Sequence, residues 1–130
     1  MKKVSIPDIE RIRPRAVLVI RTGDRTYYAS LEDNEPAKLL TEKLNPLTVG
    51  FSFRPEEDGV FGVLPWTLPR CDREVTVRPG DLLLEGGDRI VIAFSKGKKT
   101  VTRLARIGSA PDALLKKEGV EATLFLEWSE

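Results

Sequence analysis

The chain contains no histidine, no glutamine, one cysteine and two asparagines among its 130 residues. Each scarcity removes a class of chemistry. Without histidine there is no imidazole base, no His-ligated metal and no Ser-His-Asp triad. With Cys71 alone there is no intramolecular disulfide and no multi-thiolate zinc site. No metal and no cofactor are therefore expected. Phosphate cradles are missing too, because the glycines follow neither a GxGxxG nor a GxxxxGK[ST] spacing. Long apolar runs are also absent. The longest, residues 16–20, is far too short to span a bilayer. Charges recur too often in the first fifteen residues for the apolar segment of a signal peptide. A lone thiol, no leader and no span make a cytoplasmic protein without membrane association the expectation.

What remains for polar chemistry is Asp, Glu, Lys, Arg, Tyr, Ser, Thr and Cys71. Formal net charge is only +1, so the whole molecule exerts no strong pull on nucleic acid or anionic lipid. A composition rich in Lys, Arg and Glu and free of Gln points to a heat-adapted source.

The length suits one domain. Residues 1–14 read as an N-terminal extension stopped by Pro14, and residues 15–130 as the folded unit. Residues 16–20 are a β-branched run of strand length. Gly23-Asp24 suits a two-residue hairpin turn leading into Thr26, Tyr27 and Tyr28. Next comes LEDNEPAKLLTEKL, with several charges in a short space. Asn34 is a good N-cap, Glu35 suits the positive helix end, and Pro36 is tolerated in the first turn. Ala37, Leu40 and Leu44 share a face, and Asn45-Pro46 ends the helix. The acidic cluster is thus a helix cap.

Strands follow at 47–53, 59–64, 74–77, 82–84, 89–94, 100–107 and 120–128. Leu47, Val49, Phe51 and Phe53 alternate onto one face of the first of these. Arg78-Pro79-Gly80-Asp81 has the type II turn pattern. Gly86-Gly87-Asp88 is a further turn, residues 96–99 (KGKK) read as a tight turn, and residues 100–107 alternate cleanly. Residues 111–117 read as a second short helix. Short strands with turns every eight to twelve residues predict a mainly β protein of about eight strands, a closed eight-stranded barrel or a sandwich, with two short helices attached.

Several segments resemble the cyclophilin-like family of small stand-alone bacterial and archaeal proteins, mostly of unknown function. They are LEDNEPAKLLTEKL, VTVRPGDLLLEGGDRIVIAF, VTRLARIG and DALLKKEGVEATLFLEW, and the resemblance covers residues 15 to 128. It implies a cyclophilin-like β-barrel. Three departures stand out. The Trp-Gly-Glu-Glu-aromatic stretch of the family is replaced by VGFSFRPEEDGVFGVLP. Its aromatic-Pro-Pro-Gly turn is replaced by LLEGGD. The segment between Phe94 and Val101 is cut to SKGKKT, which implies a smaller or more open pocket.

The resemblance raises prolyl isomerisation as an activity. That reaction must lower a barrier of ~18–20 kcal/mol, with an arginine supporting the twisted prolyl nitrogen and an apolar pocket holding the ring. True cyclophilins carry Phe-His-Arg on the strand after the first helix. Here it reads Phe51-Ser52-Phe53-Arg54, and no His or Gln exists to complete a site. Arg54 is the first candidate for the arginine. Neighbours on a strand face opposite ways, so Arg54 points away from Phe53 and Phe51. Arg103 is the second candidate, either a buried ion-pair member or a ligand-binding cation. Phe51, Phe53, Trp66 and Phe94 are candidate ligand contacts, each also readable as core or as cover over a barrel end. Residues 89–106 carry Arg89, Lys96, Lys98, Lys99, Arg103 and Arg106 with no acid, but lack exposed aromatics to stack bases.

The expected function is a binding module for a peptide or small-molecule ligand, without established catalysis. A weak peptidyl-prolyl cis-trans isomerase is the alternative, and a nucleic-acid-binding barrel the second alternative. Fold resemblance alone does not choose between them.

Overall fold

Turn chemistry sets the corners of the chain. The Asp81 N–H donates to the Arg78 carbonyl at 3.0 Å, and Gly80 sits at φ 95°, as a type II turn with Pro79 before it requires. A computed structural model describes residues 15–23, 25–45, 47–108 and 120–129. In chain order they form β1 (Arg15–Thr22), β2 (Thr26–Leu31), α1 (Glu35–Lys43), β3 (Val49–Glu56) and β4 (Gly59–Val63). There follow β5 (Arg73–Val77), β6 (Asp81–Glu85), β7 (Arg89–Ala93), β8 (Gly97–Ile107) and β9 (Val120–Ser129).

Eight strands form a ring in the order β2-β1-β9-β3-β4-β7-β6-β8, and β8 closes it by pairing with β2. All pairings are antiparallel. This is the expected closed barrel. β5 stands outside the ring and pairs only with the first half of β8. The second helix expected at 111–117 and the extension at 1–14 lie outside the described residues. No helix among the described residues is long and apolar enough to cross a membrane.

The barrel is filled by its own side chains, as the bore of a small eight-stranded barrel allows. Leu18, Ile20, Phe53, Leu82, Ile92 and Leu104 are fully buried in one cluster. α1 adds Leu40 and Leu44 to it, and the loop after β4 adds Leu64 and Leu68. The helix starts as expected. Asn34 caps it by accepting from the Ala37 N–H at 2.9 Å, and Ala37, Leu40 and Leu44 are its buried side.

Three expectations are corrected. Leu47 precedes β3 and is 56% exposed, so it does not share the buried face of Val49 and Phe53. Residues 96–99 are not a tight turn. The chain leaves β7 one step earlier, where the Phe94 N–H donates to the Asp58 carbonyl at 2.9 Å, and β8 begins at Gly97. Nor does β8 alternate cleanly. Leu82 pairs with Ala105 but Leu83 with Arg103, so Leu104 is the extra residue of a bulge. Leu104 and Ala105 therefore both join the barrel core, whereas Val101 belongs to a different cluster. A period-two reading through 101, 103, 105 and 107 crosses the bulge and mixes two faces.

Candidate functional site

β6 and β7 carry unbroken apolar runs, Leu82-Leu83-Leu84 and Ile90-Val91-Ile92-Ala93. Such runs need cover on both faces of the sheet. Leu82, Leu84, Ile90 and Ile92 point into the barrel. Leu83, Val91 and Ala93 face outward, yet they are no more than 4% exposed. Their cover is the two-stranded ribbon of β5 and the first half of β8. Val77 and Val101 from the ribbon join them in a second apolar cluster, flanked by Phe61 and Val75. The two halves of β8 thus serve two layers, one in the barrel wall and one over it.

On one side of the ribbon the cover is loose, although Val77, Leu83, Val91 and Ala93 stay buried beneath it. A hollow of about 130 Å³ opens there, with Val77, Leu83, Val91 and Ala93 as its apolar lining. Lys96, Lys98, Lys99 and Asp58 stand around it. Gly97 also lines the hollow, and nothing lies within 4 Å of the place its Cβ would occupy.

The two arginine candidates sit at the ends of one row across this wall. Arg54 pairs with Phe61, Phe61 with Val91, Val91 with Leu83, and Leu83 with Arg103. Four inter-strand steps of about 4.8 Å put them roughly 19 Å apart along the curved sheet. They are not brought together. Arg54 is exposed on the β3–β4 hairpin. Arg103 takes the ion-pair alternative. Its guanidinium lies 3.3 Å from Glu32 and 3.5 Å from Asp81, and its side chain is only 17% exposed. Asp81 is 2% exposed and also meets Arg106 at 3.4 Å and the Arg78 N–H at 3.0 Å. Two cations and a backbone donor thus hold one buried carboxylate, so the charge of Arg103 is committed.

A second shallow hollow lies beside this network, lined in part by Glu32, Asn34, Cys71, Arg73 and Arg103. Asn34 sits at its edge with both ends of its amide used. The side-chain nitrogen donates to the Arg103 carbonyl at 2.8 Å while the oxygen caps α1. Cys71 is tied into the same corner. Its N–H donates to Thr102 Oγ1 at 2.8 Å, and that hydroxyl donates to Asp72 at 2.7 Å.

The aromatic candidates pack on the barrel core. Phe53 is fully buried and meets Phe51 edge-on, with ring centres 4.9 Å apart. Phe51, Trp66 and Phe94 are half-buried and rest against the same core. Lys43 of α1 lies 5.8 Å from the Trp66 ring centre, which places that indole between the helix and the loop after β4.

A family model described as cyclophilin-like matches residues 20–125. The chain belongs to the cyclophilin-like family. No curated protein and no solved structure matches it. The match takes in β2 to β8 whole, the last three residues of β1 and the first six of β9. Within this cyclophilin-like chain the segment after Phe94 has a defined place. It forms the first half of β8 and one wall of the outer hollow. Val77, Leu83, Val91 and Ala93 were not among the sequence candidates. Their signal was the unbroken apolarity of 82–84 and 90–93, which requires an outer layer but does not say which residues supply it.

Proposed function

We propose that this protein is a ligand-binding module that takes an apolar group of a peptide or small molecule into the hollow on the outer wall of its barrel. The observation that carries this reading is the apolar lining of Val77, Leu83, Val91 and Ala93, open beside Gly97 and edged by lysines. The barrel interior offers no competing site among the described residues, since its own side chains fill it. Catalysis has little support at this hollow. Prolyl isomerisation needs an arginine free to donate beside the apolar pocket. Arg103 is held by Glu32 and Asp81, and Arg54 stands two strands from Val91, roughly 10 Å along the sheet.

Methyl-labelled protein titrated with a fragment set of small aliphatic amides and carboxylates tests this reading. Shifts concentrated on Val77, Leu83, Val91 and Ala93 are expected. Saturable shifts confined to Leu18, Leu124 and other barrel-interior methyls, or none at any concentration, would overturn it.

A further inference from the structure

The first half of β8 has one edge in use. Gly97 to Val101 pair with β5, pairing with β6 starts at Thr102, and pairing with β2 starts at Ala105. Among the described residues no strand and no loop backbone bonds the other edge of Gly97 to Thr100. This is an open β edge of about 13 Å, long enough for four residues of an extended chain. Strand addition to such an edge uses main-chain hydrogen bonds for affinity and side-chain pockets for choice.

Charge selects the occupant. Arg89, Arg103 and Arg106 are all in ion pairs. The side chains of Lys96, Lys98 and Lys99 have no hydrogen-bond or ion-pair partner among the described residues, and all three residues line the hollow. Asp58 is the one acid in that lining. A second copy of this chain is a poor occupant, because edge-to-edge pairing would set these lysines against their own copies. An acidic strand meets them with opposite charge.

We propose that the open edge of Gly97 to Thr100 takes up an extended acidic segment of a partner protein as a third strand of the β5–β8 ribbon, with an aliphatic side chain of that segment entering the hollow. This rests on the hollow being a binding site, as argued above. Gly97 is the entry point. It lacks a side chain where one would fill the open space beside the lining.

The test is an NMR titration of the full chain, labelled at amides and methyls, with a capped Glu-Val-Glu-Val-Glu peptide. Three comparison probes accompany it: the lysine counterpart, the acidic peptide N-methylated at alternate amides, and a single-stranded oligonucleotide. Amide shifts over Gly97 to Thr100 together with methyl shifts at Val77 and Val91 are expected with the acidic peptide. Binding should weaken at least tenfold with the N-methylated peptide, with Lys98→Glu/Lys99→Glu, and with Gly97→Leu. The lysine peptide should not bind. Strand addition is overturned if the acidic peptide leaves these amides unmoved, or if its N-methylated form binds equally well. It is also overturned if only the oligonucleotide binds through the lysines. If small aliphatic fragments still shift Val77 and Val91 in those cases, the hollow stands and only the partner class is wrong. If they do not, both readings fall.

Discussion

Asn34 and Arg103 are joined by a hydrogen bond across the barrel edge, from the Asn34 side-chain amide to the Arg103 carbonyl at 2.8 Å. Arg103 lies between the stretch of β8 paired with β5 and the stretch paired with β2, in a gap that neither strand fills. The neighbouring Leu104 carbonyl is met by the Glu32 N–H at 2.8 Å. One side chain therefore caps α1 and mends the sheet at the bulge.

Asn34→Ser separates these roles, since serine keeps the cap and loses the bridge. Its expected cost is about 1 kcal/mol, the net value of one hydrogen bond. Asn34→Ala loses both and should cost roughly 2 kcal/mol. Urea unfolding of the two variants measures the difference. Equal stabilities of the two variants would mean that the cap contributes nothing, and Asn34→Ser as stable as the wild type would mean that the bridge contributes nothing.

Asp81 holds the base of the ribbon. Removing a buried carboxylate that two arginines and a backbone N–H share leaves the part-buried Arg103 with Glu32 alone and the Arg78 N–H without its acceptor. Asp81→Ala should cost roughly 3 kcal/mol. Arg106 is 45% exposed, so Arg106→Ala should cost under about 1 kcal/mol. Chemical denaturation of both variants checks the order, and a larger loss for the arginine would show that the network is read wrongly.

The ribbon is a layer of its own and should open on its own. Val77→Ala thins the apolar contact between β5 and the outer wall. Amide hydrogen exchange should then quicken in β5 and in Gly97 to Val101 while β1 and β9 keep their protection. Uniform acceleration across all strands would show that ribbon and barrel unfold as one unit.

Two glycines should respond oppositely to alanine. A Cβ at Gly59 would lie 2.1 Å from the Ile92 carbonyl oxygen, and backbone cannot swing aside as a side chain does. Gly59→Ala should cost about 2 kcal/mol or more. A Cβ at Gly97 meets nothing within 4 Å. Gly97→Ala should be neutral, or stabilise by about 0.5 kcal/mol by stiffening the unfolded chain. Thermal melts of the pair settle both signs.

Much of this architecture is legible in the chain. Pro79-Gly80 dictates its turn through the backbone each residue allows, and Asn34 with Pro36 dictates where α1 starts. Local chemistry determines both. The outer hollow is a different matter. Val77, Leu83, Val91 and Gly97 come from four strands, and only the fold back of β8 brings them together. The bulge at Leu104 carries no glycine to announce it, so the side on which Arg103 lies stays hidden in a period-two pattern. Lys96, Lys98 and Lys99 read as a turn because edge strands and turns tolerate the same charged residues.

Ligand uptake on the outer wall without catalysis is tested most directly by magnetisation-exchange NMR on a panel of Xaa-Pro peptides. Wild type, Arg54→Ala and Arg103→Ala are compared in one series. The account predicts cis–trans exchange at the uncatalysed rate for all three proteins, with any peptide-induced shifts centred on Val77, Leu83 and Val91. Exchange above that rate in the wild type, lost in Arg54→Ala, would contradict it and make the exposed end of the row a catalytic site.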